Sequence, residues 1–244
     1  MGRAIVEGLL DDPACHVVVL ELDGATTAWV ADHSAASRIG VVRGDAADVS
    51  VAGRAADLAE ASGTLTGWVN NAAVFRDASL HDTDPGYVLE LIESNLMPAI
   101  VGCAVAVGRF LAAGTRGAIV NVSSHQAARP VAGALPYATA KAALEGLTRA
   151  AAVDYGPNGI RVNAVSLGSI VTDRLERFLD TKPHGGERMK AELAQLHPLG
   201  RPGEAAEVAE AVSFLLGDRA GFITGVVLPV DGGRSVRGAD PEAI

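Results

Sequence analysis

Two cysteines in 244 residues, Cys15 and Cys103, are too few and too far apart for a disulfide framework or a Cys-rich zinc site. They fit two reduced thiols, and a cytoplasmic location is expected. Basic residues are also scarce. Twenty Lys and Arg stand against 29 Asp and Glu, a net charge of -9, which gives no electrostatic footprint for nucleic acid or an anionic membrane. No basic-then-apolar signal segment is visible, and no metal-binding cluster. The longest apolar run, Met97 to Gly108, stops at Arg109 and is too short to span a bilayer; it reads as a buried helix at a subunit contact. Repeats and low-complexity tracts are lacking. The expected partner is a small molecule, with neither nucleic acid nor membrane.

What is present suffices for one sizeable core: 49% of residues are hydrophobic and 20% charged. Short Val- and Ile-rich runs recur at His16 to Glu21, Gly40 to Asp45, Leu65 to Val69, Gly117 to Ser123, Ile160 to Val165 and Val226 to Val230. Helical patterns separate them at Val51 to Ser62, Pro85 to Ala113, Tyr137 to Tyr155 and Glu204 to Leu216. A further helix opens the chain, with Ile5, Val6, Leu9 and Leu10 on one face. Near-continuous apolar strands joined by helical crossovers predict a doubly wound, parallel α/β sheet of Rossmann type in a single domain, residues 1–244. The stretch Thr181 to Glu204 reads as irregular and is a candidate lid, within a lid region of about 172–203.

In such a sheet ligands bind beyond the carboxyl ends of the strands. Those ends read Glu21, Asp45, Asn70-Asn71-Ala72, Ser123-Ser124 and Ser166-Leu167-Gly168. A carboxylate at Glu21 is placed to accept hydrogen bonds from an adenosine ribose and would repel a 2′-phosphate. No Arg or Lys follows it in ELDGATT, which favours NAD over NADP.

Tyr137 and Lys141 lie four apart on a helix, so both occupy one face. A free tyrosine titrates near ~10, and making it useful at pH 7 requires roughly 4 kcal/mol of preferential phenolate stabilisation. A neighbouring ammonium has the right sign. The pair alone also describes an ordinary exposed helix pair. It is accompanied by VNVSS ending in Ser124, thirteen positions earlier, by NNAA after a strand, and by Asn95 inside ESNLMPAI.

This constellation resembles the classical short-chain dehydrogenase/reductase family over almost the whole chain, including the tail segments LGRPGEAAEVAEAVSFLL and ITGVVLPVDGG. The resemblance implies that Tyr137 is the general acid/base and that Lys141 lowers its pKa and holds the nicotinamide ribose. It implies that Ser124 binds the substrate oxygen and that Asn95 holds a relay water. Cofactor contacts carry over to Asp45 and Ala46 near the adenine, Asn71 and Ala72 near the ribose and pyrophosphate, and Ile170 and Thr172 beside the nicotinamide amide. Asn70 is expected to tie strands together. A homo-oligomer, dimer or tetramer, is also implied.

Some positions depart from the family. Leu167-Gly168 replaces the usual Pro-Gly, removing a fixed φ, and Ala73 stands where glycine is common. His125 and Gln126 either select a hydroxylated substrate or face solvent. Phe178, Leu179, Met189, Leu193 and Leu196 form either an apolar pocket wall or core. At the N-terminus only the last step of the Gly-rich turn remains: Met1-Gly2-Arg3-Ala4 aligns with its end, leaving Gly2 as a cofactor contact. The first, central strand is absent. The neighbouring strands are expected to close up or leave backbone groups unpaired at roughly 1 to 3 kcal/mol each, so this chain is expected to fold poorly and about 15 further residues are expected upstream.

The expected function is an NAD-dependent oxidoreductase acting on a small alcohol or carbonyl compound. The alternative is a non-catalytic binding or assembly protein that has lost the phosphate-binding turn. A hydrolase is disfavoured, because no G-x-S-x-G elbow surrounds Ser124.

Overall fold

The computed structural model describes residues 1–172, 175–177 and 186–238. Helices are α1 (Gly2–Leu10), α2 (Val49–Glu60), α3 (Pro85–Ala113), α4 (Leu135–Tyr155), α5 (Gly186–Gln195) and α6 (Ala205–Leu216). Strands are β1 (Val17–Glu21), β2 (Ile39–Arg43), β3 (Gly67–Asn70), β4 (Gly117–Ser124), β5 (Ile160–Leu167) and β6 (Val227–Val230). All ladders are parallel. The residues that end β4 and β5, Ser124 and Leu167, are register partners.

The sheet is divided. β1 pairs only with β2, and β3-β4-β5-β6 form a separate four-stranded sheet, with no ladder between β1 and β3. The break falls where the resemblance places a further strand. The two strands have not closed up, and α1 spans the division. Its Ile5 packs with Val120, Val165 and Val212, whereas Val6 and Leu10 pack with Val30 and Ile39 against the β1-β2 pair. The apolar residues of α1 therefore serve two clusters, where the periodicity suggested one face. Gly8 permits this closeness, since a Cβ there would stand 3.1 Å from that of Ala209 on α6. Arg38 finishes the helix by donating to the carbonyls of Leu10, Asp12 and Cys15 at 2.9 to 3.0 Å, taking up acceptors that a helix end leaves open.

Alternate residues of the central strands feed opposite faces. Val120, Val122 and Val165 pack toward α6, and Ile119, Ile160 and Val162 pack toward α3 and α4 with Phe110 and Ala151. A buried polar chain runs through the second layer: Trp68 Nε1 donates to Asn70 Oδ1, Asn70 Nδ2 to Asn121 Oδ1, and Asn121 Nδ2 to Thr148 Oγ1, each at 2.8 to 2.9 Å. Asn70 thus ties β3 to β4. The 29-residue α3 is long and apolar enough to cross a membrane by length and composition. It instead contacts α2, α4 and β3, with Ala106 and Phe110 buried and Met97 and Ile100 exposed.

The stretch Thr181 to Glu204 is less irregular than its Gly and Pro content suggested. Gly186–Gln195 is helical because Arg188–Glu192 and Glu187–Lys190 pairs support it locally. Phe178 and Leu179 lie outside the described residues.

Candidate active site

Each expected site residue lies at a helix end, in a helix, or just beyond a strand. Ser124 ends β4 and caps the short 3-10 turn His125–Ala127, its Oγ accepting the Gln126 N–H at 3.2 Å. Tyr137 occupies the first turn of α4, buried, with the Phe75 ring against its own at 4.6 Å between centroids. Lys141, one turn on, is fully buried. Its Nζ donates to the Val122 carbonyl at 2.7 Å and lies 5.5 Å from the Tyr137 ring centroid. Burial pushes the ammonium down from 10.5 to about 8. The structure thus brings Lys141 beside Tyr137 while holding it by a β4 carbonyl, an anchor the helical spacing does not reveal.

Asn95 is buried inside α3. Its Nδ2 donates to Leu91 O at 2.9 Å and its Oδ1 accepts the Val74 N–H at 2.8 Å. It therefore fixes the segment after β3 that carries Asn71 and Ala72. Pro98, which has no N–H, leaves the Ser94 carbonyl without its helical donor one residue from Asn95.

Gly2 is the first residue of α1, and a Cβ there would stand 3.2 Å from Asn71 Nδ2. The α1 N-terminus and the NNAA segment are therefore adjacent. Glu21 ends β1, its carboxylate accepting the Leu22 N–H at 2.9 Å. Asp45 forms an Asx turn onto the Ala47 N–H at 2.8 Å, across Ala46. Ile170 bridges to Gly203, and Thr172 caps the helical turn at residues 175–177 through Leu175 N–H at 3.3 Å.

Four features were not legible in the sequence. Arg43, which ends β2, is the register partner of Glu21, and its guanidinium packs so tightly on Gly24 that a Cβ there would clash at 2.5 Å. The neighbouring strand thus brings near Glu21 a cation that ELDGATT itself lacks. Phe75 was missed as the ring covering Tyr137. His197 is fully buried and accepts the Ser169 N–H at Nε2, 3.1 Å, while Nδ1 meets Leu193 O at 2.7 Å. This places the protonated nitrogen at Nδ1 and fixes the loop after β5. Finally, His125 is buried rather than facing solvent, and desolvation together with the Arg234 charge pushes it down to about 4.

This edge fits a nicotinamide dinucleotide. The gap kept open by Gly2, the N–H groups of the first α1 turn, the Glu21 carboxylate and the buried Lys141 ammonium are the donor and acceptor types such a molecule requires.

The family model described as "Enoyl-(Acyl carrier protein) reductase" matches residues 1–235. The 2-(S)-hydroxypropyl-CoM dehydrogenase 3 of Xanthobacter autotrophicus is 34% identical, covering 96% of this chain and 91% of its own. The cis-4-hydroxycyclohexanecarboxylate dehydrogenase of Sinomonas cyclohexanicum is 36% identical with the same coverages. The chain belongs to the short-chain dehydrogenase/reductase family. A solved member, ElxO with NADP bound, superposes with a TM-score of 0.85 at 27% identity, covering 97% of this chain and 94% of its own. This short-chain dehydrogenase/reductase is thus a nicotinamide-dependent oxidoreductase with a Rossmann-type parallel sheet, acting on CH–OH groups. Membership leaves the choice between the two nicotinamide cofactors open, since a neighbour of the same fold carries NADP.

Proposed function

We propose that this enzyme interconverts a small alcohol and its carbonyl compound with NAD in preference to NADP, using Tyr137, Lys141, Ser124 and Asn95. The observation that carries the reading is the Lys141 ammonium, buried 5.5 Å from the Tyr137 ring and held by Val122 O on the strand that ends in Ser124. A bound nicotinamide supplies the hydride acceptor or donor. In oxidation, Tyr137 takes the proton from the substrate hydroxyl, and in reduction it returns a proton to the carbonyl oxygen. Lys141 favours the phenolate by its charge and offers its remaining protons to the ribose hydroxyls. Ser124 donates to the substrate oxygen as charge develops there. Asn95 holds the β3 segment in place and positions a water that links Lys141 to solvent.

Along the cofactor, the Gly2 and α1 N-terminus, Asn71 and Ala72 take the pyrophosphate and ribose, Asp45 and Ala46 the adenine, and Ile170 and Thr172 the amide. Glu21 accepts the ribose hydroxyls, which favours NAD. Residues 172–203 act as a lid over the substrate. The half-exposed Met97 and Ile100 of α3 and the exposed Val153 of α4 supply an apolar face for a homo-oligomer, and the two free thiols suit a reducing cytoplasm.

The test pairs NADH and NADPH fluorescence titrations with turnover of an alcohol panel by wild type and Tyr137→Phe. We expect tighter NADH binding, and a 100-fold or greater loss of kcat in Tyr137→Phe with NADH affinity retained. Equal turnover by the variant would sink the assignment of Tyr137, and tighter NADPH binding would sink the NAD preference.

A further inference from the structure

Three arginines from two parts of the chain line one cavity of about 540 Å³: Arg129 after the His125 turn, and Arg234 and Arg237 after β6. His125, adjacent to Ser124, and Leu196 line the same cavity. In a chain of net charge -9 this local excess of positive charge is conspicuous. Glu192 is the acidic residue in the lining, and it already pairs with Arg188 at 2.8 Å. Among the described residues, no carboxylate lies within ion-pair distance of Arg129, Arg234 or Arg237. Asp231, the nearest candidate for Arg234, instead accepts the N–H groups of Gly233 and Ser235 at 2.9 and 2.7 Å.

The guanidinium groups are held rather than loose. Arg234 Nη1 donates to Ser169 Oγ at 2.7 Å, two residues beyond Leu167, the register partner of Ser124. Arg129 donates to the Arg237 carbonyl at 3.2 Å, and Arg237 donates to that of Gln195. Each uses one of its five N–H donors on a neutral acceptor, which leaves a fork free for a planar or tetrahedral anion. His125 stays neutral beside Arg234 and adds no charge of its own at pH 7. The Asp231 charge acts on Arg234 without an ion pair between them, so three arginines against this one carboxylate keep a positive excess that an anion would offset.

We propose that this cavity is an anion subsite, so that the substrate is an alcohol or carbonyl compound bearing a carboxylate or similar anionic group, which Arg234 and Arg237 bind while Arg129 closes the rim. The proposal rests on the oxidoreductase reading for its view of the adjacent Ser124 as the reacting end. The anion chemistry itself is independent of turnover. Leu196 and the flank beside it give the carbon skeleton an apolar wall.

The test is calorimetric binding of cyclohexanecarboxylate and cyclohexanecarboxamide, matched in shape and differing in charge, to the full chain saturated with reduced cofactor. We expect the carboxylate to bind at least tenfold tighter at low salt, with the preference shrinking as ionic strength rises. It should shrink at least threefold in Arg129→Gln/Arg237→Gln, whose partners are only backbone carbonyls and which leaves Arg234 in place, while NADH affinity and Tm stay unchanged. A carboxylate that binds no tighter than the amide, or a preference undiminished in the double variant, overturns the proposal. Tyr137→Phe distinguishes the two readings: it abolishes turnover without altering the anion preference, and an anion preference in a chain that never transfers hydride would sink the catalytic reading alone.

Discussion

Asn95 Oδ1 accepts the Val74 backbone N–H at 2.8 Å, joining the middle of α3 to the segment that leaves β3. The contact is part-buried, and the same side chain donates to Leu91 O. Removing it leaves the Val74 N–H without this partner and unpins the segment that carries Asn71 and Ala72. Asn95→Ala should lose about 1 to 3 kcal/mol in urea unfolding. Its NADH affinity should fall as well, because Asn71 faces Gly2 across the candidate pyrophosphate gap. An unchanged midpoint with unchanged affinity would show that the contact is dispensable.

Lys141 is placed at a cost to stability. Its ammonium is pushed from 10.5 to about 8 by burial, so below pH 8 the folded state carries a buried charge that the unfolded state keeps in water, at roughly 3 kcal/mol. The unfolded chain binds the extra proton between pH 8 and 10.5, and this group therefore makes stability rise with pH across that window. Lys141→Met should melt higher than wild type at pH 7, by about 1 to 3 kcal/mol once the lost bond to Val122 O is counted, and should be inactive. A lower Tm would show that the Val122 contact outweighs the burial.

His125 acts with the same sign at lower pH. Its folded pKa is about 4, held down by burial and by the Arg234 charge against its ordinary 6.5. As pH falls from 6.5 to 4 the unfolded state takes up a proton that the native state refuses, so stability declines through that window. The expected outcome is a Tm that drops across it and a flatter profile in His125→Gln. Asp231, Arg234 and His197 are the charged or titratable groups that act on His125, and Asp231 titrates below the window.

Glu21 and Arg43 stand in register at the proposed adenosine end. They are register partners on adjacent strands, with Arg43 packed over Gly24. Glu21→Ser removes the repulsion toward a 2′-phosphate while Arg43 remains to pair with it. The ratio of NADPH to NADH affinity should rise at least tenfold, and adding Arg43→Ala should reverse most of that gain. Fluorescence titrations of both cofactors with the two variants decide the matter.

Much of this was local and therefore readable from sequence. The alternation of apolar runs and amphipathic segments reports burial on two faces, and α3 matches its pattern from Pro85 to Ala113 because a Pro start and Gly114 at positive φ bound it. Strand ends marked the candidate ligand edge, because a parallel sheet aligns them, and the proximity of Tyr137 and Lys141 followed from helical spacing. The helix Gly186–Gln195 was hidden by the Gly and Pro before it, and by stabilisation through charge pairs rather than an apolar stripe.

The sequence by itself determined the elements, their order and the residue types at the strand ends, since these depend on periodicity and chemistry within a few residues. Only the tertiary structure decided that the sheet divides between β1 and β3 with α1 clasping both parts, that Arg43 stands in register with Glu21 and packs on Gly24, and that Arg129, Arg234 and Arg237 line one cavity with His125. Those relations join residues tens to a hundred positions apart. They are set by which backbone edges pair and how helices pack across them, and no local pattern carries that information.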